Sequence, residues 1–382
     1  SRRLAWSSCA GSSTRMRSAR RTSSQKKTMK NGTRKILTLL LLLVVLTAGC
    51  GKTQGDTARQ EKKQTQSSSS NQELTTIRAG VMTGITEHYI AAIGKEKGIY
   101  EKYGIDLQVT EFSTGVEAVG AVTLGQLDIA ECLDYGVVNR IGQTSKDTNL
   151  KILAENYETN VEQESASSAN QFYVNPDKIK ELKDIKGRNI SVALGTVNEY
   201  QDAKVYELAG LTGKDVNQVA LDSISMTPAA AESGQIDAVW AAGAAAVKIQ
   251  KLGWKSILKA SDVGLLTRNF EVSSREFAEK DHDALVNYFK ARDEIVNYIE
   301  GNVEEAAKLV KDKISVEEDI FKGQIAGNKN QSVFTQDIVS EETTLKDWAY
   351  KNGNFDTDFS YTDFIDVSAL KEAFPDRVDI AE

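Results

Sequence analysis

The sequence predicts an α/β protein of two similar lobes, each a largely parallel sheet flanked by helices. Three observations carry this. Short apolar runs alternate with helix-period segments, the order that gives parallel sheets. A tetrapeptide G-Q-[LI]-D occurs twice, as Gly125-Gln126-Leu127-Asp128 and Gly234-Gln235-Ile236-Asp237, each time between a helix and an apolar strand. It follows the opening strand by 48 residues in the first half (77 to 125) and by 45 in the second (189 to 234).

Taken in order, Ser1 to Thr28 is Ser- and Arg-rich and fits no secretory pattern. It reads as translated upstream sequence or an artefact, with Met29 the more natural start. Lys30, Arg34 and Lys35 then precede an unbroken apolar run that ends in Leu46-Thr47-Ala48-Gly49-Cys50. A charged start, a short apolar core and small residues make a secretory signal, and the run falls short of the ~20 residues that span a bilayer. It has no polar face, so it is not an amphipathic core helix. Its ending resembles the lipobox of bacterial lipoproteins. That resemblance implies cleavage before Cys50 and lipid on it. Residues 50–75 are polar, with Gln66-Ser67-Ser68-Ser69-Ser70, too polar to offset the entropy of ordering, and read as a tether.

Residues 1–49 hold eleven Lys or Arg and no acid, so without them the formal net charge moves from -7 to -18. An acidic surface argues against nucleic acid and anionic lipid as partners. Cys9 lies in the discarded part and Cys50 at the lipid site, which leaves Cys132 and no disulfide framework. Two His and no Cys pair leave little material for a zinc site, and no cofactor motif is present.

The globular part opens with a strand at Ile77 to Met82, a polar loop Thr83-Gly84-Ile85-Thr86, and a helix stopping at Gly98. Leu107 to Phe112 alternates as a strand. Thr114 and Glu117 then stand at capping-box spacing before a helix that runs to Gly125. Leu127 to Ala130 and Lys151 to Glu155 are further strands. In the second half Asn189 to Leu194 is a strand, Thr196 and Glu199 repeat the cap spacing, and that helix stops at Gly210. Thr227-Pro228 starts the next helix, with Pro where its missing N–H is harmless. Asp281 to Glu300 is amphipathic, with Leu285, Tyr288, Phe289, Ile295, Val296 and Ile299 on one face, and Ser315 to Glu318 reads as a cap.

Lys95-Glu96-Lys97-Gly98-Ile99-Tyr100-Glu101-Lys102-Tyr103-Gly104-Ile105-Asp106 resembles a recurring element of the substrate-binding proteins of ABC importers, in the nitrate/sulfonate/taurine-binding group that also contains pyrimidine-precursor binders. Gly125 to Ala130, Leu182 to Ile190 and Gly234 to Ala238 match its other elements. The resemblance spans Ile77 to about Phe374. It implies two Rossmann-like α/β lobes, the type II periplasmic binding protein fold, with two crossover segments and ligand in the cleft. It also implies permease and ATPase partners. The crossovers are expected near Phe172 to Pro176 and Leu265 to Phe270, giving one lobe from 76–173 and 268–382 and another from 174–267.

In such sheets ligands sit beyond the carboxyl ends of the strands, where helix N-termini point. Candidate ligand residues are Thr83, Gly84 and Thr86; Ser113 and Thr114; and Gly195 and Thr196, whose loops offer backbone N–H groups and hydroxyls to an anion. Plain helix capping is the competing role. Glu131, Asp134 and Tyr135 end the third strand; two carboxylates facing the cleft, with Glu87, would favour a ligand carrying an amine or another donor. A solvated rim is the bland alternative. No Lys or Arg appears in these strand-end loops. Trp240 could stack on a ligand, with Gly243 admitting close approach, or lie in the core. Asn156 and Tyr157 are weaker candidates, and His88 suits a polar or packing role.

These features predict a lipid-anchored, extracytoplasmic solute-binding protein, a monomer, taking an aliphatic sulfonate, taurine or nitrate by hinge closure. A thiamine-precursor-type pyrimidine stacked on Trp240 is the alternative. The pyrimidine synthases of yeast thiamine biosynthesis share this fold, but they carry a cysteine-rich iron-site tract that Cys132 alone does not match and lack an export signal, so no catalysis is expected.

Overall fold

The computed structural model describes residues 74–380, apart from 145–147, 167, 222 and 265. The expected signal, the lipobox Cys50 and nearly all of the tether lie outside the described residues. The chain begins with β1 (Thr75–Met82), α1 (Thr86–Glu96), α2 (Ile99–Lys102), β2 (Ile105–Phe112), α3 (Gly115–Thr123), β3 (Ile129–Leu133), α4 (Asp134–Thr144) and β4 (Leu150–Thr159). It continues with β5 (Gln171–Val174), β6 (Asn189–Val192), α5 (Val197–Leu208), β7 (Asn217–Ala220), α6 (Thr227–Glu232), β8 (Ala238–Ala241), α7 (Gly243–Lys251) and β9 (Lys255–Lys259). Then come β10 (Arg268–Ser274), α8 (Arg275–Lys280), α9 (His282–Gly301), α10 (Val303–Ile314), α11 (Glu318–Ala326), β11 (Asn328–Lys329), α12 (Gln336–Lys351) and α13 (Ser368–Ala373).

Two large sheets result, ordered β11-β4-β10-β3-β1-β2 and β7-β6-β8-β5-β9, beside a two-stranded pairing of Phe334–Thr335 with Val378–Asp379. Apart from β11, the two orders are the same. Each has three parallel strands, then one antiparallel strand newly arrived from the other lobe, then a last strand. The repeated G-Q-[LI]-D earns its place in this plan. Gly125 and Gly234 adopt φ of 70° and 74°, a left-handed turn that favours glycine, and so end their helices. Asp128 and Asp237 each accept the backbone N–H of the opening strand, Arg78 at 2.8 Å and Asn189 at 3.0 Å. One four-residue device thus closes a helix and pins the strand beside it, once per lobe.

The first crossing lies earlier than expected. Phe172 to Val174 are strand β5, buried throughout between β8 and β9, so the chain passes between lobes at residues 160–170. The return strand, Arg268–Ser274, lies in the first sheet between β3 and β4. Ser315 is likewise not the N-terminal cap of the following helix. It ends α10 at φ 57°, and Glu317 precedes α11 without a side-chain cap bond.

One apolar core fills the first lobe, including the expected face of α9 and residues of α10 to α13. In the second lobe the alternation of strand side chains splits the core in two. Phe172, Val174, Ala238 and Trp240 face one side of the sheet; Tyr173, Val239 and Ala241 face the other.

Candidate functional site

The loops that follow β1, β2 and β3 in one lobe and β6, β7 and β8 in the other open on one space, a cavity of about 720 Å³. Among the expected residues, Thr83, Gly84, Ser113, Thr114, Tyr157, Thr196 and Gly243 line it. Several of their polar groups are already engaged. The Thr83 hydroxyl donates to Glu111, and Thr114 forms the full capping box with Glu117. The second cap differs from its spacing: Thr196 accepts from Asn198, while Glu199 takes the Gly195 N–H at 2.7 Å instead of closing a box.

Two helices of more than two turns start at the cavity without such a cap, as does the short α6 after Met226. Ile85 before α1 and Ala242 before α7 are apolar, so no side chain satisfies their first-turn N–H groups. Gln324 lies against both starts: its Nε2 donates to the Gly84 carbonyl and stands 3.0 Å from where a Cβ on Gly243 would be. Lys248, on the next turn of α7, is exposed, lines the cavity and has no ion-pair partner among the described residues. Sequence reasoning confined to strand-end loops missed it. Its spacing of four from Ala244 places both on one helix face, which was the available signal.

The other expected residues lie elsewhere. Thr86 is buried and accepts from Asn328. Glu131 points inward, taking the Met82 N–H and an amide N–H of Asn269. Asp134 accepts from the backbone N–H groups of Tyr135 and Arg268, and Tyr135 packs edge-on against Trp348. Asn156 donates to Glu271. Gly195 is at the loop but outside the lining. Trp240 packs on Phe172 with its face in the core. The amine-selecting carboxylates and the stacking indole are therefore corrected: burial with partners inside the lobe holds them off the cavity.

A family model described as NMT1/THI5 like matches residues 85–306. The chain belongs to the NMT1/THI5-like family. A relative described as "Putative aliphatic sulfonates-binding protein", from Bacillus subtilis (strain 168), is 23% identical over 320 residues, 81% of this chain and 91% of its own length. Among solved structures, the alkanesulfonate-binding protein SsuA from Xanthomonas axonopodis pv. citri bound to MOPS superposes with a TM-score of 0.65 at 15% identity, covering 77% of this chain and 98% of that one. The desulfurization enzyme DSZB gives 0.57 at 12% identity, over 78% and 99%. These structures share the two-lobed type II fold.

In this NMT1/THI5-like chain the cavity floor rests on a buried polar layer. Glu87, Glu131 and Glu271 surround a void of about 10 Å³ with Tyr100 and Tyr288. Burial pushes Glu271 up to about 7 and raises Glu131 well above the carboxylate range, with the Glu87 charge adding to both. Arg292 pairs with Glu87 through two N–H groups. A second layer sets Arg268 against Glu155, Glu158 and Glu341. The layer keeps its charges to itself, so apart from Glu117 and Lys248 the cavity above is lined by hydroxyls, amides and apolar side chains.

Proposed function

We propose that this protein is the extracytoplasmic solute-binding component of an ABC importer, taking an organic anion of the aliphatic sulfonate kind into the cavity between its lobes. The observation that carries this is the uncapped starts of α1 from one lobe and α7 from the other, with Lys248, which has no ion-pair partner among the described residues, on α7. Helix N-termini and an ammonium group together suit an anionic head. Apolar lining from Ile85, Val116, Leu133, Leu194, Leu221 and Ile224 suits a carbon body. The Bacillus subtilis relative's description and the MOPS-bound SsuA structure point the same way.

Nitrate fits less well. A four-atom ion occupies on the order of two waters' volume, ~60 Å³, against about 720 Å³ here. A stacked pyrimidine loses its platform, because Trp240 is in the core. A thiolate nucleophile at Cys132 is disfavoured, since burial raises its thiol well above its ordinary value. A ligand touching both lobes stabilises the closed form, which would dock on the permease. Lipid on Cys50 would hold a monomer near that permease.

Calorimetric titration with butanesulfonate tests the reading. The expected result is saturable binding, weakened about tenfold by Lys248→Met, with no binding of 1-butanol. Absence of binding by any sulfonate from two to six carbons would overturn it.

A further inference from the structure

The first lobe meets the second at two places built alike. Asn139 of α4 and Gln324 of α11, both in the first lobe, are buried. Each sets its amide nitrogen against a glycine of the second lobe. The Asn139 Nδ2 reaches the Gly195 carbonyl at 3.5 Å, and a β-carbon on Gly195 would stand 2.8 Å from that nitrogen. A β-carbon on Gly243 would stand 3.0 Å from the Gln324 Nε2. The two glycines follow β6 and β8, neighbours in their sheet, and both have positive φ, 75° and 58°. Neither amide is loose. The Asn139 Oδ1 accepts from Gln143 at 3.4 Å, and the Gln324 Nε2 donates to the Gly84 carbonyl at 3.3 Å. Non-bonded carbon contacts are best at about 3.5–4.0 Å, so a methyl in either place would push the lobes apart.

We infer that Asn139 and Gln324, seated on Gly195 and Gly243, are the stops that set how closely the lobes shut, and through that spacing the length of ligand the cavity accepts. The inference rests on the cavity being the solute site, as read above, and adds what fixes its size. Packed side chains yield little, so one added methyl is felt as displacement of the element that carries it. Gln324 and Gly243 line the cavity, whereas Asn139 and Gly195 do not. A change at the second pair therefore reaches a ligand only through the spacing of the lobes, which makes it the pair to test.

The test titrates ethanesulfonate and hexanesulfonate by calorimetry into the wild type, Gly195→Ala, and Gly195→Ala combined with Asn139→Ala. In Gly195→Ala the shorter probe should lose about tenfold in affinity and the longer one about threefold or less. Adding Asn139→Ala makes room for the methyl and should bring both probes back to within about threefold of the wild type. The ligand-free thermal midpoint should fall in the single variant and stay low in the double, because alanine at φ 75° is strained whatever lies opposite. Spacing and folding are thereby separated. Equal losses for the two probes, or a shift that Asn139→Ala does not relieve, would overturn the stops and leave the anion reading standing. If no sulfonate binds the wild type, the anion reading falls and ligand-free scattering decides the stops. A radius of gyration larger in Gly195→Ala and restored in the double supports them; an unchanged radius overturns them. If Gly195→Ala fails to fold, Asn139→Gln lengthens the stop by one methylene without glycine strain and should shift the chain-length preference the same way. No shift there would overturn the stops.

Discussion

Arg292 uses all of its guanidinium N–H groups. Nε and Nη2 hold Glu87, Nη1 donates to the Asn330 carbonyl and the Ser332 hydroxyl, and Nη2 also reaches the Asn156 carbonyl. Removing it leaves a carboxylate buried without its counter-ion. Arg292→Met should therefore cost roughly 3–5 kcal/mol in urea unfolding, and adding Glu87→Gln should restore at least half. Glu271, opposite Glu131 in the β10–β3 register, makes a different prediction. Its folded value of about 7 lies above the ordinary unfolded carboxyl, so between the two the folded chain binds more protons. Stability from this group is present below about pH 4 and lost as pH rises through about 7. The thermal midpoint should be higher at pH 5.5 than at pH 8, by roughly 3 °C or more. Glu271→Gln keeps the Asn156 and Tyr288 bonds in reach and should flatten that slope.

At the scale of elements, α5 of the second lobe meets α12 of the first. Tyr200 sets its edge on Trp348 at 4.8 Å between centroids, and Asn354 donates to Glu199 at 2.7 Å. Glu199 therefore braces its own helix through Gly195 and the other lobe through Asn354. Trp348→Ala should favour separated lobes, read as a larger radius of gyration in ligand-free scattering. Ligand affinity should fall in proportion to the closed fraction. An unchanged radius with unchanged affinity would show that this contact does not hold the lobes. Periodicity made β1 to β4, β6, β8, the α9 face and both cap-bearing helices legible, because each is decided within a few residues of sequence; β5, β7, β9 and β10 were not read as strands. Glu131 and Asp134 were not legible from Ile-Ala-Glu-Cys-Leu-Asp. Their partners Asn269 and Arg268 lie 138 and 134 positions away, and only the returning strand brings them in. Trp240 stayed open between ligand and core for a related reason: alternation says which side of a sheet it takes, not what covers that side.

Across the whole molecule, the second lobe is one continuous stretch whose ends meet. Gln171, first in β5, sits opposite Lys259, last in β9. The first lobe has no such independence, because β10 fills the place between β3 and β4 and arrives only after the second lobe has been spelled out. Pulse-labelled hydrogen exchange during refolding should show amides of β5 to β9 protected before those of β3 and β4. Simultaneous protection would contradict this. On a ribosome or behind a translocation pore, the amino-terminal half would then wait, with a gap in its sheet, until Arg268 to Ser274 emerged. The lobe made first would be the lobe finished last. A helper that shields nascent chains would have its main work in that interval, when the flank of β3 that β10 will cover is still bare.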